Sequence, residues 1–416
     1  MKRLLALILA AASALLLASC AGGMTGMKSS VEQASEEKDY SGYTIRIYSN
    51  SNSNGRAEWL VQAASEAGFT VSIDDGSVIS GDVAALAAAD ENADGDILFG
   101  LNETRWRQVL DGEYANLSIV DWKPSWEYDV GKYAYPGKAY GLVIQNVLLL
   151  CRTDELGTNG EELHFEHWAD VVDSGYTWYR PNKVGGTTNS NINAAILYAF
   201  VDPESPAGGI SVNGWKTLWR YCAEGVSGGD DYQYGFIPLN RGDVQISAYY
   251  SSSLYGQIAA AEESSSNPLR GTLNPENWAL VDVADGTYYI AEYIGILDRA
   301  GRTAEETEAV TAFAEWFGSA ETQAAWGAQF DTYPCNGAAA KILYPDGVPE
   351  IYMLPNFALT EAEGAGVTYA AYVASHADEW MNIMTNLGFF WADEADAAPE
   401  PDWENLDWSA LMQAAK

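Results

Sequence analysis

The sequence predicts an α/β fold in which helices cover both faces of a mostly parallel sheet. The prediction rests on strand and helix patterns that alternate along the chain. Residues 43–48 (YTIRIY) alternate as a strand does, and residues 57–68 (AEWLVQAASEAG) have a helical spacing that ends at a glycine. A second strand is expected at 69–73, and an apolar strand at 96–101 leads into a helix from Thr104. Such alternation is typical of parallel sheets with helical crossovers.

The rest of the chain continues this alternation. Residues 138–141 (KAYG) indicate a turn, and the apolar run 142–150 predicts a long strand. Thr303 and Glu306 have the spacing of a capping box, which predicts a helix through Phe317. The further expected helices are 82–89, 164–173, 191–200, 213–224, a helix capped by Ser319 and a largely helical segment 357–390, and the further expected strands are 176–180, 244–250 and two within 278–297.

The N-terminus has the order of a bacterial export signal. A basic start precedes the apolar residues 4–17, and the segment LASC then ends at Cys20. This arrangement resembles the cleavage box of bacterial lipoproteins, which predicts removal of the signal peptide 1–19 and acylation of Cys20. Two or three acyl chains suffice for stable membrane anchoring, and the polar residues 20–42 are expected to form a flexible tether. An ordinary secreted chain that is cut nearby is the alternative.

Composition excludes several classes of function. The 58 acidic and 22 basic residues give a net charge of −36, and such a surface repels phosphate backbones, so we expect no nucleic-acid partner. Three histidines argue against a His-based metal site and a Ser-His-Asp hydrolase. The sequence contains no G-x-S-x-G, H-E-x-x-H, P-loop or G-x-G-x-x-G motif. A glycoside hydrolase, which needs only a pair of carboxylates, stays open as an alternative because the chain has so many acidic residues.

The cysteines after Cys20 are odd in number. Cys151, Cys222 and Cys335 therefore allow at most one disulfide, and their spacing does not select a pair. For at least one of them, burial as a small hydrophobic side chain is the favoured interpretation.

Several segments share the order found in one family of binding proteins. Residues 96–102 (DILFGLN) end a strand, and residues 137–142 (GKAYGL) precede a long apolar one. Residues 313–323 (FAEWFGSAETQ) are followed by a proline loop at Tyr333. Together with the lipoprotein signal, these segments resemble extracytoplasmic solute-binding proteins of the type II periplasmic-binding fold, the receptors of ABC importers. The resemblance covers about residues 43–337.

This resemblance implies two lobes with a ligand cleft between them. Residues 43–141 and 288–320 would form the first lobe, and residues 142–287 and 321–392 the second, in a protein that we expect to be a monomer. The acidic tail 393–416 is expected to be mobile, unless its apolar residues dock a short helix. These apolar residues are Trp403, Leu406, Trp408 and Leu411.

Two further segments resemble the branch of the family that includes thiamine-binding and ferric-binding receptors. Residues 180–189 resemble the ligand loop of its second lobe, and residues 242–253 resemble the strand that enters its hinge-side loop. The thiamine receptors carry an aspartate where Asn102 stands and a tryptophan near Asp331. The sequence departs from them at both positions.

Polar loops at the ends of predicted strands supply the candidate ligand-binding residues. The Ser/Asn loop 49–55 either contacts a ligand or only caps the next helix, and Asn102 is equally suited to cap the helix from Thr104. Tyr249 and Tyr250 offer aromatic faces, although alternation along a strand would turn one of them into the core. The candidates are Tyr48, Ser49, Asn50, Asn52, Asn102, Glu103, Thr187, Thr188, Asn189, Tyr249, Tyr250, Ser251, Asp331 and Tyr333.

The acidic surface and the 25 tyrosines and 15 tryptophans favour a small organic cation as the ligand, and the resemblance to the thiamine-binding branch implies a thiamine-like one. Tyr249 or another ring would stack on it, and Glu103 or Asp331 would balance its charge. The alternative ligand is ferric iron, held by Tyr249 and Tyr250, with Tyr48 and Glu58 as first-lobe partners. An extracellular hydrolase is the alternative class. The expected function is a lipid-anchored receptor that needs no cofactor and delivers a small solute to an ABC permease.

Overall fold

The structure is a computed structural model that describes residues 38–52, 55–74, 95–112, 114, 117–126, 134–152, 163–180, 187–226, 236–251, 278–389 and 399–414. Its strands are β1 (Tyr40–Ser49), β2 (Phe69–Asp74), β3 (Ile97–Leu101), β4 (Ala134–Tyr135), β5 (Ala139–Arg152), β6 (His164–Phe165), β7 (Ile246–Tyr250), β8 (Trp278–Leu280), β9 (Asp282–Val283), β10 (Tyr289–Ile296) and β11 (Tyr333–Pro334). Its α-helices are α1 (Arg56–Glu66), α2 (Glu103–Leu110), α3 (Thr187–Leu197), α4 (Val212–Glu224), α5 (Phe236–Arg241), α6 (Ala304–Phe317), α7 (Ala320–Phe330), α8 (Gly337–Leu343), α9 (Tyr369–Asn386) and α10 (Trp408–Leu411). The predicted helix 82–89 lies outside the described residues.

The main sheet combines parallel and antiparallel strands in the order β11-β5-β10-β3-β1-β2. Ile47 of β1 is aligned with Ile73 of β2 and with Ile97 of β3, and both pairs are parallel, as the sequence predicts. β10 runs antiparallel to β3 and to β5. The parallel strands therefore form one half of the sheet, and the antiparallel strands extend it.

Strand β5 belongs to two parts of the sheet at once. Its first half pairs with β10 and β11, and its second half pairs with β7 and β8, where Val147 is aligned with Tyr250. Because it carries apolar side chains on both faces, every residue from Ala139 to Cys151 is buried. β5 is the continuous link between the two groups of strands.

Separate hydrophobic clusters lie on the two sides of this link. One cluster contains Ile47 and Phe99 of the parallel strands, together with Phe313 of α6 and Trp326 of α7. Another packs the residues around α3, α4 and α9 with the second half of β5. α7 was expected in the second lobe, but Trp326 and Phe330 pack against the parallel strands because α7 continues directly from α6.

The C-terminal residues 399–414 dock on the second of these clusters. Trp403 is buried there, and the amides of Asn382 and Asn386 donate hydrogen bonds to the carbonyls of Met412 and Leu411. The expectation of a mobile tail is wrong for this segment, and the alternative of a docked short helix is confirmed. The tail docks through its apolar side chains, although its overall composition is acidic.

Helices whose first residues carry a capping motif begin where the sequence predicts. Thr303 and Glu306 form the predicted capping box of α6, and the Ser319 hydroxyl accepts a hydrogen bond from the backbone N–H of Thr322 at the start of α7. The predicted helix 164–173 is wrong: strand β6 comes first, and a 3-10 helix, Trp168–Asp173, follows. The predicted strand 176–180 makes only isolated bridges. The other 3-10 helices are Tyr198–Phe200, Glu350–Tyr352 and Phe357–Leu359.

All three cysteines after Cys20 lie in described ranges, and each is a buried free thiol. In the part of the chain that the structure describes, no helix has both the length and the apolar character needed to cross a membrane.

Candidate functional site

The candidate site lies at the edge where the parallel strands end. β1 ends at Ser49 and β3 at Leu101, and the two strands point the same way. Leu101 is aligned with Tyr293 of β10, so residues 289–292 of that antiparallel strand continue beyond the end of β3. In open α/β sheets, ligands bind outside the carboxyl ends of parallel strands. The first residues of β10 therefore form part of this edge.

The loop after β1 is held in place by its own polar groups. The Ser51 N–H donates to the Ser49 hydroxyl at 3.0 Å, and the Asn52 amide donates to the Ser49 carbonyl at 3.2 Å. Gly100 has a φ of 86°, and a Cβ there would lie 2.6 Å from the side-chain oxygen of Asn50. The glycine therefore lets the loop lie against β3. Tyr48 is buried in the core and does not face this edge.

A buried carboxylate joins this loop to the antiparallel strands. Glu292 of β10 accepts hydrogen bonds from the Ser51 hydroxyl at 2.7 Å and from the Gln145 amide of β5 at 2.5 Å. The Arg56 guanidinium, at the start of α1, lies 4.0 Å from the same carboxylate. We call Ser51, Arg56, Gln145 and Glu292 the Glu292 network. Arg56, Gln145 and Glu292 were not predicted from the sequence. Glu292 could have been, because it is a charged residue within the apolar run 288–297.

A second buried carboxylate stands at the start of α2. The Asn102 side chain caps this helix by accepting a hydrogen bond from the Arg105 N–H at 3.1 Å. Glu103 is 5 % exposed and accepts a hydrogen bond from the Ala291 N–H at 3.2 Å. Its Oε2 has no hydrogen-bond partner among the described residues. Burial raises the pKa of Glu103 to about 7. A carboxyl group in this state is poised between its neutral and charged forms.

Three tyrosines, Tyr135, Tyr288 and Tyr293, lie near Glu103, and Tyr250 lies near Tyr288. The Tyr293 hydroxyl lies 3.5 Å from the Glu103 carboxyl group, and the Tyr135 hydroxyl donates to the Glu103 carbonyl at 3.0 Å. Burial is the main cause of the raised pKa of Tyr288, and Glu103, Tyr250 and Tyr135 raise it further through their charges. We call Tyr135, Tyr250, Tyr288 and Tyr293 the tyrosine box. Tyr135, Tyr288 and Tyr293 were not among the sequence candidates.

The second group of strands contributes Tyr250 to the box. The Asn191 amide of α3 donates a hydrogen bond of 2.6 Å to the Tyr250 hydroxyl. Tyr249 packs in a cluster with Leu148 and Leu239 and is 8 % exposed. The Ser251 hydroxyl is fully buried and accepts a hydrogen bond from the Asn146 N–H. For Thr187, Thr188 and Asn189 the structure gives only the backbone, which begins α3.

Asp331 and Tyr333 lie beside a stack of aromatic rings. The Tyr333 ring stacks on Tyr344 at 5.8 Å and lies 5.0 Å from the ring of Tyr352. The Tyr352 hydroxyl donates to the Asp331 carbonyl at 3.0 Å. Asp331 has a φ of 50°, in the left-handed region, and burial raises its pKa to about 6. Asp331 is the C-cap of α7, and a left-handed backbone combined with a half-buried acid is a feature of many functional loops.

The described side chains bring carboxyl groups and aromatic rings together at this edge of the sheet. Within the described ranges, no cluster of three or more His, Cys, Asp or Glu side chains could hold a metal ion. The ring centroids of Tyr249 and Tyr250 are 6.5 Å apart; both rings pack in the cluster with Leu148 and Leu239, and Tyr250 also packs against the cluster around α3. Glu103 and Glu292 provide two buried acidic groups near tyrosines or an arginine, and Asp331 provides a third that is half-buried.

Comparisons with known proteins agree with this architecture. Residues 58–358 match the family described as bacterial extracellular solute-binding protein. The chain is 25 % identical over 299 residues to a probable ABC transporter periplasmic-binding protein, y4fP, of Sinorhizobium fredii, which covers 70 % of this chain and 74 % of that protein.

Solved structures show the same fold. The apo ferric ion-binding protein A of Pasteurella haemolytica superposes with a TM-score of 0.61 at 12 % identity, over 84 % of this chain and 98 % of that one. The Trichodesmium protein IdiA (FutA), in complex with iron and citrate, gives 0.58 at 14 % identity, over 83 % and 100 %. The predicted two-lobed type II periplasmic-binding fold is thereby confirmed. Since the family match covers well over half of the sequence, the chain belongs to the family of bacterial extracellular solute-binding proteins.

Proposed function

We propose that the chain is the lipid-anchored receptor of an ABC importer and that it captures a small organic cation between two lobes. The solute-binding family and the Sinorhizobium fredii relative, a probable ABC transporter periplasmic-binding protein, support the importer. The signal that ends at Cys20 supports the anchor. The receptor binds its solute without transforming it and passes it to the permease as a monomer.

The proposed lobes follow the packing of the two cores. Residues 43–141 and 288–320 form the first lobe, to which we add 321–335 because α7 and β11 pack there. Residues 142–287 and 336–392 form the second. β5 and β10 lie next to each other where the chain passes between the lobes. The tyrosine box draws on both lobes, with Tyr135 from the first and Tyr250 from the second.

The observation that carries the ligand class is the buried Glu103 carboxyl group beside the tyrosine box, whose Oε2 has no hydrogen-bond partner among the described residues. Aromatic faces attract organic cations, and a buried carboxylate compensates their charge. A neutral solute would leave a charged Glu103 without a compensating cation. A thiamine-like cation has both the charge and the aromatic surface for such a site. Ferric iron is the alternative ligand, with Tyr250 as the phenolate that the box already contains.

A thermal-shift screen with thiamine, other organic cations, sugars, amino acids and Fe(III) tests the ligand class. A ligand at 100 times its Kd adds roughly 2.7 kcal/mol to the free energy of unfolding. We expect Tyr250→Ala to weaken a bound organic cation by roughly 1–2 kcal/mol, since a desolvated cation–π contact is lost. Tyr176→Ala is the control, because Tyr176 packs only at the border of the second core.

The outcomes of the screen separate the alternatives. A stabilising organic cation whose affinity depends on Tyr250 supports the proposal. Stabilisation by Fe(III) alone, with a visible absorption band that Tyr250→Ala removes, would replace the cation by iron. Turnover of a glycoside or ester would contradict the receptor function.

The anchor is tested by Cys20→Ala. We expect this variant to move from the membrane fraction to the soluble fraction, because the acyl chains supply the membrane affinity. Cys222→Ala is the matched control, since this thiol is buried in the globular part and bears no lipid. A Cys20→Ala protein that still sediments with membranes would show that another segment holds it there.

A further inference from the structure

The Glu103 carboxyl group is buried without a compensating cation. The basic residues of its own helix are engaged elsewhere: Arg105 bonds Gln108, and Arg107 bonds Asp111. β10 presents Tyr293 to it, while Glu292 lies in its own network on the other side. Among the described residues, therefore, nothing positive faces Glu103 from α2 or β10.

Two further elements pack against α2, helix α9 and strand β3, and neither contains a lysine or an arginine. Helix α9 packs along α2, and its titratable side chains include Tyr369, Tyr372, His376, Asp378 and Glu379. The ring of His376 is bound to the Tyr372 carbonyl, and the two acidic residues would repel a carboxylate. β3, the third neighbour, presents no ionisable side chain.

We propose that Glu103 exchanges its proton for the positive charge of the solute. This inference rests on the proposed capture of an organic cation. When the cation enters, the O–H bond of Glu103 breaks, the electron pair stays on the carboxylate, and the proton leaves to the medium. The net charge of the site is unchanged, because a neutral acid is replaced by an ion pair. Oε2, which has no partner, becomes the contact of the cation.

This exchange makes capture depend on pH and on ligand charge. Below the pKa of about 7, binding must remove a proton, so the affinity falls up to about tenfold for each unit of pH. Above it, the carboxylate is already charged and the affinity levels off. A neutral solute of the same shape displaces no proton, and the site therefore selects for the cation.

The first test needs no ligand. The carboxyl carbons of the glutamates are labelled with 13C and titrated by NMR in the full chain, in Glu103→Gln and in Glu363→Gln. Glu363 is the control, because it is an exposed carboxylate. We expect one resonance that titrates near pH 7 and that only Glu103→Gln removes. Its absence from the unmodified protein would overturn the proposal and leave the receptor function intact.

The second test uses thiamine as the probe in calorimetry at pH 6 and pH 8.5, in buffers of different ionisation enthalpy. We expect about one proton to be released per thiamine at pH 6 and almost none at pH 8.5. Glu103→Gln should bind at least tenfold more weakly at pH 8.5 and release no proton at pH 6. If Glu103→Gln binds thiamine with the original affinity and proton release, the proposed role of Glu103 is overturned, while the proposed ligand class stands. No binding of thiamine by the unmodified protein would overturn this thiamine-like ligand together with the proton exchange.

Discussion

Replacement of Glu292 by alanine is expected to lower the free energy of unfolding by about 3–5 kcal/mol. The change leaves the Arg56 guanidinium, of which 12 % is exposed, without its carboxylate. It also removes the acceptor of the Gln145 amide and of the Ser51 hydroxyl. Because Ser51 belongs to the loop at the end of β1, we expect ligand affinity to fall as well. Urea unfolding followed by tryptophan fluorescence measures the first effect.

Two further variants distinguish the cost of leaving a buried charge unpaired from the contribution of the ion pair itself. Glu308→Ala removes an exposed ion pair with Lys38, in which both side chains are about half exposed, and should cost less than about 1 kcal/mol. The double variant Glu292→Leu and Arg56→Met removes both buried charges and should recover part of the lost stability. Equal costs for Glu292→Ala and Glu308→Ala would show that the Glu292 network contributes no more than a surface pair.

Local chemistry explains why much of the fold could be predicted from the sequence. Thr303 caps α6 through contacts within three residues, and the apolar run of β5 needs only its own side chains to be recognised. Residues 164–173 were misassigned because a two-residue strand and a 3-10 helix produce no periodic pattern. The tail was misjudged because Trp403 finds its partners on distant helices.

The site was only partly accessible from the sequence, since long-range contacts create it. The edge itself and Glu103 were predicted from the position at the end of a strand. Glu292 meets Ser51 across 241 positions of the chain, and no motif marks such a pair. Tyr288 is one tyrosine among 25, and only the fold places it beside Glu103. Asn102 is the opposite case: the sequence made it a candidate ligand-binding residue, but its side chain caps α2.

Replacement of Asp331 by asparagine is expected to stabilise the protein above pH 6 by roughly 1–2 kcal/mol. Burial raises the pKa of Asp331 from 3.8 to about 6, so the folded state holds its proton more tightly than the unfolded chain does. The charge therefore costs stability as the pH rises from about 4 to 6, and the full cost remains above pH 6. Asparagine removes the charge and tolerates the left-handed backbone at this position.

Free energies of unfolding at pH 4 and pH 7.5 provide the measurement, with Asp346→Asn as the exposed control. The stabilisation by Asp331→Asn should be present at pH 7.5 and absent near pH 4, where the aspartate is itself protonated. A gain that is equal at both values would assign the effect to the backbone rather than to the charge. If Asp331 helps to balance a cationic solute, the same variant should also bind that cation more weakly. A stability gain accompanied by an affinity loss would explain why a half-buried acid with a left-handed backbone is kept beside the aromatic stack of Tyr333, Tyr344 and Tyr352.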